Sequence, residues 1–281
     1  MTMTRPMAFR HWYPDDCAGA VERYLAGFEP PDEAPARRAA VAPHAGWRFS
    51  GGVAARSLAA LSRSLPETVV CFSAIHRACL DRSAIWTRGS WDTPLGDVAV
   101  DSELARTLLE RSSDIACADH TPHLDEHALE VLMPFLRVLL PAARILPIMV
   151  TADDSAVELG SRVARASRGR RVAALASTDL THYGERFGFT PAGTGDAAHE
   201  WMRANDRRIL ELTTSLDAEA VVPEAEEHRN SCGSGALAAA VAFARELGSE
   251  DGRLLERTDS HEVSLPRQEF TVAVGYAGVL L

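Results

Sequence analysis

Three short segments place side chains able to bind a metal or move a proton directly after apolar runs. The first is Ala42-Pro43-His44-Ala45-Gly46. Pro43 stiffens the chain there and Gly46 allows a tight turn, so the His44 imidazole is expected to be held in place. The second is His76, which ends the run TVVCFSAIH over 68–76. The third is STDLTHYG over 177–184, which offers Asp179 and His182. Over a helical turn these two share a face. Asp179 is then expected to orient His182 as an acid–base group, or else to N-cap a short helix. Taken singly, each histidine is as readily a structural residue of a loop. Two imidazoles from neighbouring strand ends, however, make a natural metal pair.

A fourth segment is HRNSCGSG over 228–235, ahead of an alanine-rich helical stretch. A thiol at a helix N-terminus feels the positive end of the dipole, which favours the thiolate. Cys232 is therefore read as a metal ligand or nucleophile, with Gly233 and Gly235 opening space around it and His228 close enough to contribute. A fifth cluster is Glu126-His127-Ala128-Leu129-Glu130. His127 and Glu130 are spaced to share one helical face, and His123 and His127 form a further potential metal pair. His120 and His123 read as solvated loop residues. Cys71, Cys79 and Cys117 read as small buried fillers, and His11, His199 and His261 receive no strong role.

The elements that must position these groups follow from hydrophobic patterning. Apolar runs near 39–43, 68–75, 145–150, 171–177 and 270–280 read as buried strands. Between them lie helical patterns over 52–65, 102–111 (after Asp101 as N-cap), 126–140, 155–166, 196–213 and 235–247. Pro134 should kink or break the fourth-cluster helix. The Pro- and charge-rich stretch 29–38 reads as a loop. Strands alternating with helices predict an α/β fold, a mostly parallel central sheet flanked by helices, in one domain over 1–281. In such sheets ligands bind outside the carboxyl ends of the strands. His44, His76 and the Asp179/His182 pair all follow strand ends, so they are expected to meet at one edge.

Composition narrows the function. The 281 residues are 46% hydrophobic, with a formal net charge of -10 and no basic stripe. Nucleic-acid binding is therefore not expected. No apolar run approaches the roughly 20 residues that span a bilayer, and residues 1–16 show no signal-peptide core. Five cysteines without a CxxC pair fit free thiols in a reducing cytoplasm. GxxxxGK[ST], a strand-following GxGxxG, HExxH and GxSxG are all missing, which removes support for nucleotide cofactors and serine hydrolysis.

Several segments in order resemble the Memo family. APHAGWRFSG over 42–51 resembles its APHAGY-type signature, and TPLGDVAVD over 93–101 its TPLG segment. DEHALEVLMPFL over 125–136 and STDLTHYGERF over 177–187 are similar to its EHSxExxLPF and SSDxxHxGxxF segments. WYP at 12–14, CG at 232–233 and VGYAGV at 274–279 also fit. The chain departs from the pattern at Ser73-Ala74-Ile75-His76, where a GPSH- or GPNH-like turn is usual, at Leu132, where a polar residue is common, and at Gly235, near a usual proline. The resemblance implies a fold like the LigB-like class III extradiol dioxygenases, with His44, His76 and Cys232 as ligands to copper or iron. It makes Asp179, His182 and His127 pocket residues. Bacterial and archaeal members, known as AmmeMemoRadiSam system protein B, imply association with an AMMECR-like and a radical-SAM protein.

Three functions follow as expectations. The first is a metal-dependent, dioxygenase-like oxidoreductase acting on a small molecule or an oxygen species, with softness of the donor set favouring Cu(I). In it His182, oriented by Asp179, serves as acid–base group and His127 contacts a bound anion or oxygen species. The second is a non-catalytic module that holds metal or binds a protein; the sequence displays no arginine cluster to grip phosphate. The third, minor reading is a hydrolase with Cys232 as nucleophile. All require the Cys232 sulfur to lie near the His44 or His76 ring.

Overall fold

The computed structural model describes residues 3–281. Its strands are β1 (Thr4–Arg5), β2 (Ala39–Ala42), β3 (Thr68–Ser73), β4 (Ser83–Ile85), β5 (Ser90–Trp91), β6 (Val98–Ala99), β7 (Ala116–Ala118), β8 (Arg144–Met149), β9 (Val172–Ser177), β10 (His182–Tyr183), β11 (Arg253–Asp259) and β12 (Ala273–Leu280). The main sheet runs β10-β12-β2-β9-β3-β8-β4-β7, with β11 also on β12. β2, β9, β3 and β8 are mutually parallel. Antiparallel pairing enters on both sides, through β12 against β2 and β4 against β8. The sheet is thus mixed around a parallel centre.

The centre is parallel because its strands are apolar on both faces. Val70, Phe72, Leu146, Ile148, Ala174 and Ala176 pack under the helices Ser102–Ser112, Ser155–Ala166, Ala218–His228 and Ser234–Glu246. Their neighbours Val69, Cys71, Ala173 and Leu175 face the opposite layer, built from Cys17–Leu25, Trp47–Ser62 and Met133–Leu139. The period of two therefore feeds two cores at once. Fixed parallel register brings Ala42, Ser177 and Ser73 level with one another, so whatever follows them emerges at one edge.

The helix Ser234–Glu246 is buried almost throughout, and small residues let its neighbours approach. A methyl group on Gly160 would stand 2.1 Å from the Ala239 carbonyl oxygen. Gly233 and Gly235 do not open space around Cys232, as their sequence context indicated. A Cβ on Gly233 would meet the Ser177 carbonyl oxygen at 2.6 Å, and one on Gly235 the Thr151 carbonyl oxygen at 2.4 Å. These glycines let the helix start press directly onto the strand ends.

The helical pattern over 126–140 divides into His127–Glu130 and Met133–Leu139, with Pro134 in the first turn of the second piece. The Val131 carbonyl freed by the break accepts from the Trp47 indole at 2.8 Å. Asp101 caps its helix as expected, accepting from the Leu104 amide at 3.1 Å. The helix predicted over 52–65 begins five residues earlier, at Trp47. The strands β4, β7, β10 and β11 and the helix Ala218–His228 were not anticipated.

A strap over residues 3–14 pairs with β5 through β1 and packs beside the His127 helix. It is pinned by Arg5, which is fully buried and whose guanidinium donates to Glu130 Oε2 (2.7 Å), the His123 carbonyl (2.7 Å) and the Glu126 carbonyl (2.9 Å). Glu130 also accepts from the amides of Ala8 and Phe9. Glu130 therefore faces the strap, not the same pocket as His127. Two stability predictions follow from these contacts. Glu130→Gln should cost about 3 kcal/mol, because it strands a buried guanidinium. Gly235→Ala should cost about 1–3 kcal/mol by overpacking. Both are read by chemical denaturation with unchanged m-value.

Candidate metal centre

His44 leaves β2 through Pro43 and points under the edge of the sheet, where it is 1% exposed. Its Nε2 lies 3.3 Å from the Cys232 sulfur. The ring centroids of His44, His76 and His127 are 5.1, 5.3 and 4.6 Å apart in the three pairings, and one ligand atom from each lies within 4.8 Å of the others. His127 therefore belongs to the ligand cluster itself.

The hydrogen bonds fix which nitrogens are free. Ser177 donates its hydroxyl proton to the Ala128 carbonyl at 2.6 Å. It must then accept from His44 Nδ1, 2.9 Å away, which leaves a lone pair on Nε2. Burial, then the nearby His76 and His127 rings, pushes the His44 pKa well down, so this imidazole is neutral. Glu126 performs the same service for the other two. Its Oε1 lies 2.9 Å from His76 Nδ1 and 3.1 Å from His127 Nδ1, leaving Nε2 of each available. A carboxylate or hydroxyl behind each imidazole is the arrangement that orients metal ligands.

Glu126 also fixes the backbone at the second histidine. Its Oε2 accepts the His76 amide at 2.8 Å, and its Oε1 the Ala128 amide at 3.0 Å. Although 2% exposed, it stays ionised: burial raises its pKa, but bonds from His127 and His76 pull it far below the carboxylate range. His76 responds in kind. Burial opposes its charge, yet the Cys232 sulfur and Glu126 lift its pKa to about 10.

Cys232 is stitched to the end of β9. Its amide donates to the Asp179 carbonyl at 3.2 Å, and its sulfur accepts the Asp179 amide at 3.2 Å. The Gly233 amide donates to Thr178 Oγ1 at 2.9 Å. Asp179 does not orient His182, and residues 178–181 form no helix. Its carboxylate instead accepts the His44 amide at 2.8 Å, clamping β2 to β9. Burial raises its pKa to about 7, against bonds from the His44 and Ala45 amides. His182 lies on β10, with Nδ1 3.1 Å from the Leu180 carbonyl. Burial lowers its pKa to about 4, so it presents a neutral, unprotonated Nε2.

The cluster opens into a cavity of about 860 Å³ lined by His44, His76, His127, Asp179 and His182 together with Trp12, Tyr276 and other residues. The convergence at one sheet edge is thus as the strand ends predict. Trp12 of the strap sits 4.5 Å from the His127 ring.

Other expectations fall elsewhere. His123 is no partner of His127 and no solvated loop residue: it is buried between Trp86 and Trp91, with Nε2 3.1 Å from the Ala84 carbonyl. His120 stacks on Trp86 and bonds Thr87. His228 lies by Arg208, 2.8 Å away, outside the cavity lining. Cys71 is buried, but Cys79 is exposed. A second group, His199, Asp259 and Glu262, meets the distance requirement for a metal. Arg257 at 3.0 Å from Asp259 and Arg203 at 2.5 Å from Glu262 already neutralise it. Glu126 is the functional residue the sequence reading missed. Its signal was the EH pair, a carboxylate adjacent to an imidazole.

Fold and site together define an α/β protein with a histidine-lined pocket at the carboxyl ends of its parallel strands, the Cys232 sulfur beside His44. A family model described as Memo-like protein matches residues 8–280. A MEMO1 family protein of Pyrococcus furiosus is 33% identical over 291 residues, covering 99% of this chain and 98% of that one. Its counterparts in Pyrococcus abyssi and Thermococcus kodakarensis are 35% and 36% identical, each over 86% of both chains. The chain belongs to the Memo family.

Two outcomes test the centre. Glu126→Gln should weaken affinity for Co(II) about 10–100-fold, the usual effect of losing a carboxylate behind a ligand histidine. Metal must also displace the His76 proton. Since that pKa is raised to about 10, Co(II) affinity should climb with pH from about 6.5 toward 10, with proton release on binding. The same shift makes His76 stabilise the metal-free fold at low pH, a contribution lost as pH rises through about 10. Calorimetry in buffers of different ionisation enthalpy reads the proton count.

Proposed function

We propose that this Memo-family chain holds a redox-active transition metal, copper or iron, and performs dioxygenase-like redox chemistry on a small molecule in the cytoplasm. The observation that carries the reading is the convergence of the His44, His76 and His127 imidazoles on an open cavity, with the Cys232 sulfur 3.3 Å from His44 Nε2. The donor set fits: three imidazoles, His76 once its proton is displaced, and one sulfur suit copper or iron, with the thiol favouring Cu(I). His44, His76 and Cys232 would hold the ion, which when bound supplies one-electron chemistry. His127 is close enough to join them or to contact a bound anion. His182, neutral and facing the cavity, would take a proton from a bound molecule at Nε2. Asp179 would hold His44 and Cys232 in register through the backbone.

The geometry gives a minor second reading. A thiol 3.3 Å from an imidazole that is itself held by Ser177 is also the arrangement of a cysteine nucleophile, its base and an orienting group. Membership of the family favours the metal.

The test is metal content by mass spectrometry after anaerobic purification, with oxygen uptake on catechol-like substrates. Stoichiometric copper or iron lost in both His44→Ala and Cys232→Ser supports the proposal; unchanged metal in both ends it. Tight metal with no oxygen uptake reassigns the chain as a metal-holding module. Acylation of Cys232 in metal-free protein supports the nucleophile instead.

A further inference from the structure

Two arginine–phenylalanine dipeptides line the cavity, Arg48-Phe49 and Arg186-Phe187. They sit in the WRFSG and GERFG segments that follow β2 and β10. Each guanidinium lies over its own phenyl ring, at 4.2 and 4.7 Å from the ring centre. Both side chains are exposed. Among the described residues, neither takes part in an ion pair, although most arginines of this chain do.

The charge balance of the cavity is opposite to that of the chain. The chain carries a net charge of -10, yet the lining holds two arginines, Arg48 and Arg186, against a single carboxylate, Asp179. That carboxylate is buried and occupied by the His44 amide. The helix Trp47–Ser62 begins at the cavity wall with no acidic residue in its first turn and no side-chain cap on its N-terminus. Unpaired guanidiniums, a bare helix start and no competing carboxylate all favour negative charge. The wall also carries aromatic rings, among them Trp12, Phe187 and Tyr276, beside aliphatic Leu265, Val272 and Val274. A volume of about 860 Å³ is that of a small-molecule pocket.

We propose that the cavity binds a small organic acid with a ring-sized apolar body, its carboxylate or phosphate held at the mouth by Arg48 and Arg186. The body lies on the aromatic wall, and the far end reaches the histidine cluster. Stacking on the phenyl rings restrains both guanidiniums, so less freedom is lost when the anion binds. The inference deepens the metal reading by naming the substrate class of the same site. The anion end does not depend on a metal being bound.

The test uses metal-free full-length protein and three probes of one shape: 2-naphthoate, 2-naphthyl phosphate and the neutral 2-naphthalenemethanol. Affinity is read by calorimetry. At least one acid should bind about tenfold or more tighter than the alcohol, the advantage expected of charge-assisted bonding. Arg48→Gln and Arg186→Gln should each shrink that advantage and together abolish it, with alcohol affinity and thermal midpoint unchanged. Which acid wins distinguishes carboxylate from phosphate. Equal affinity for acids and alcohol, an advantage that survives the double substitution, or no binding by any probe overturns the inference. If the acid preference holds while purified protein carries no metal, the metal reading falls and this one stands.

Discussion

A single buried carboxylate organises the centre. Glu126 receives four donors: the main-chain amides of His76 and Ala128 and the Nδ1 atoms of His76 and His127. A bare carboxylate at 2% exposure would be prohibitively costly. Here the cost is met by ligating both imidazole backs and two amides, so the charge survives and becomes the reason the rings converge. The same group links a strand end after β3 to a helix start 50 residues later. Sheet edge and helix layer are thereby locked at the point where the chemistry sits.

Around that point the protein controls proton positions without a mobile base. Ser177 spends its one hydroxyl proton on Ala128, which settles the tautomer of His44. Leu180 settles that of His182 in the same way, through its carbonyl. His44 and His182 are neutral because burial penalises their charged forms, and His76 is protonated because the sulfur and Glu126 reward it. Three imidazoles of one pocket thus hold different charge states by placement alone.

The central strands, most helices and the edge at which His44, His76 and Cys232 gather were legible in the sequence, because each signal is local or follows from parallel topology. A run such as TVVCFS is apolar on both faces and announces a covered strand. What stayed hidden depends on contacts between distant segments. β4 and β7, at one side of the sheet, are three residues long, too short for a period to show. His120 and His123 look solvated until Trp86 and Trp91 fold over them. Asp179 and His182 are three residues apart, yet an extended chain sends one to the β2 clamp and the other to the cavity. Glu130 turned to Arg5, 125 residues away, rather than to the pocket. Glu126 was visible as a residue, but its four-fold role required His76 to arrive from another strand.

The strap held by Arg5 has a consequence for how such a site diversifies. It contributes Trp12 to the wall but none of His44, His76, His127 or Cys232, and it is anchored through Arg5 on Glu130 and the Glu126 carbonyl. Entrance and donor set are therefore separate parts of the chain. Substitutions at the tip of the strap can reshape who is admitted while the histidine cluster is left intact, so relatives sharing the cluster need not share a clientele.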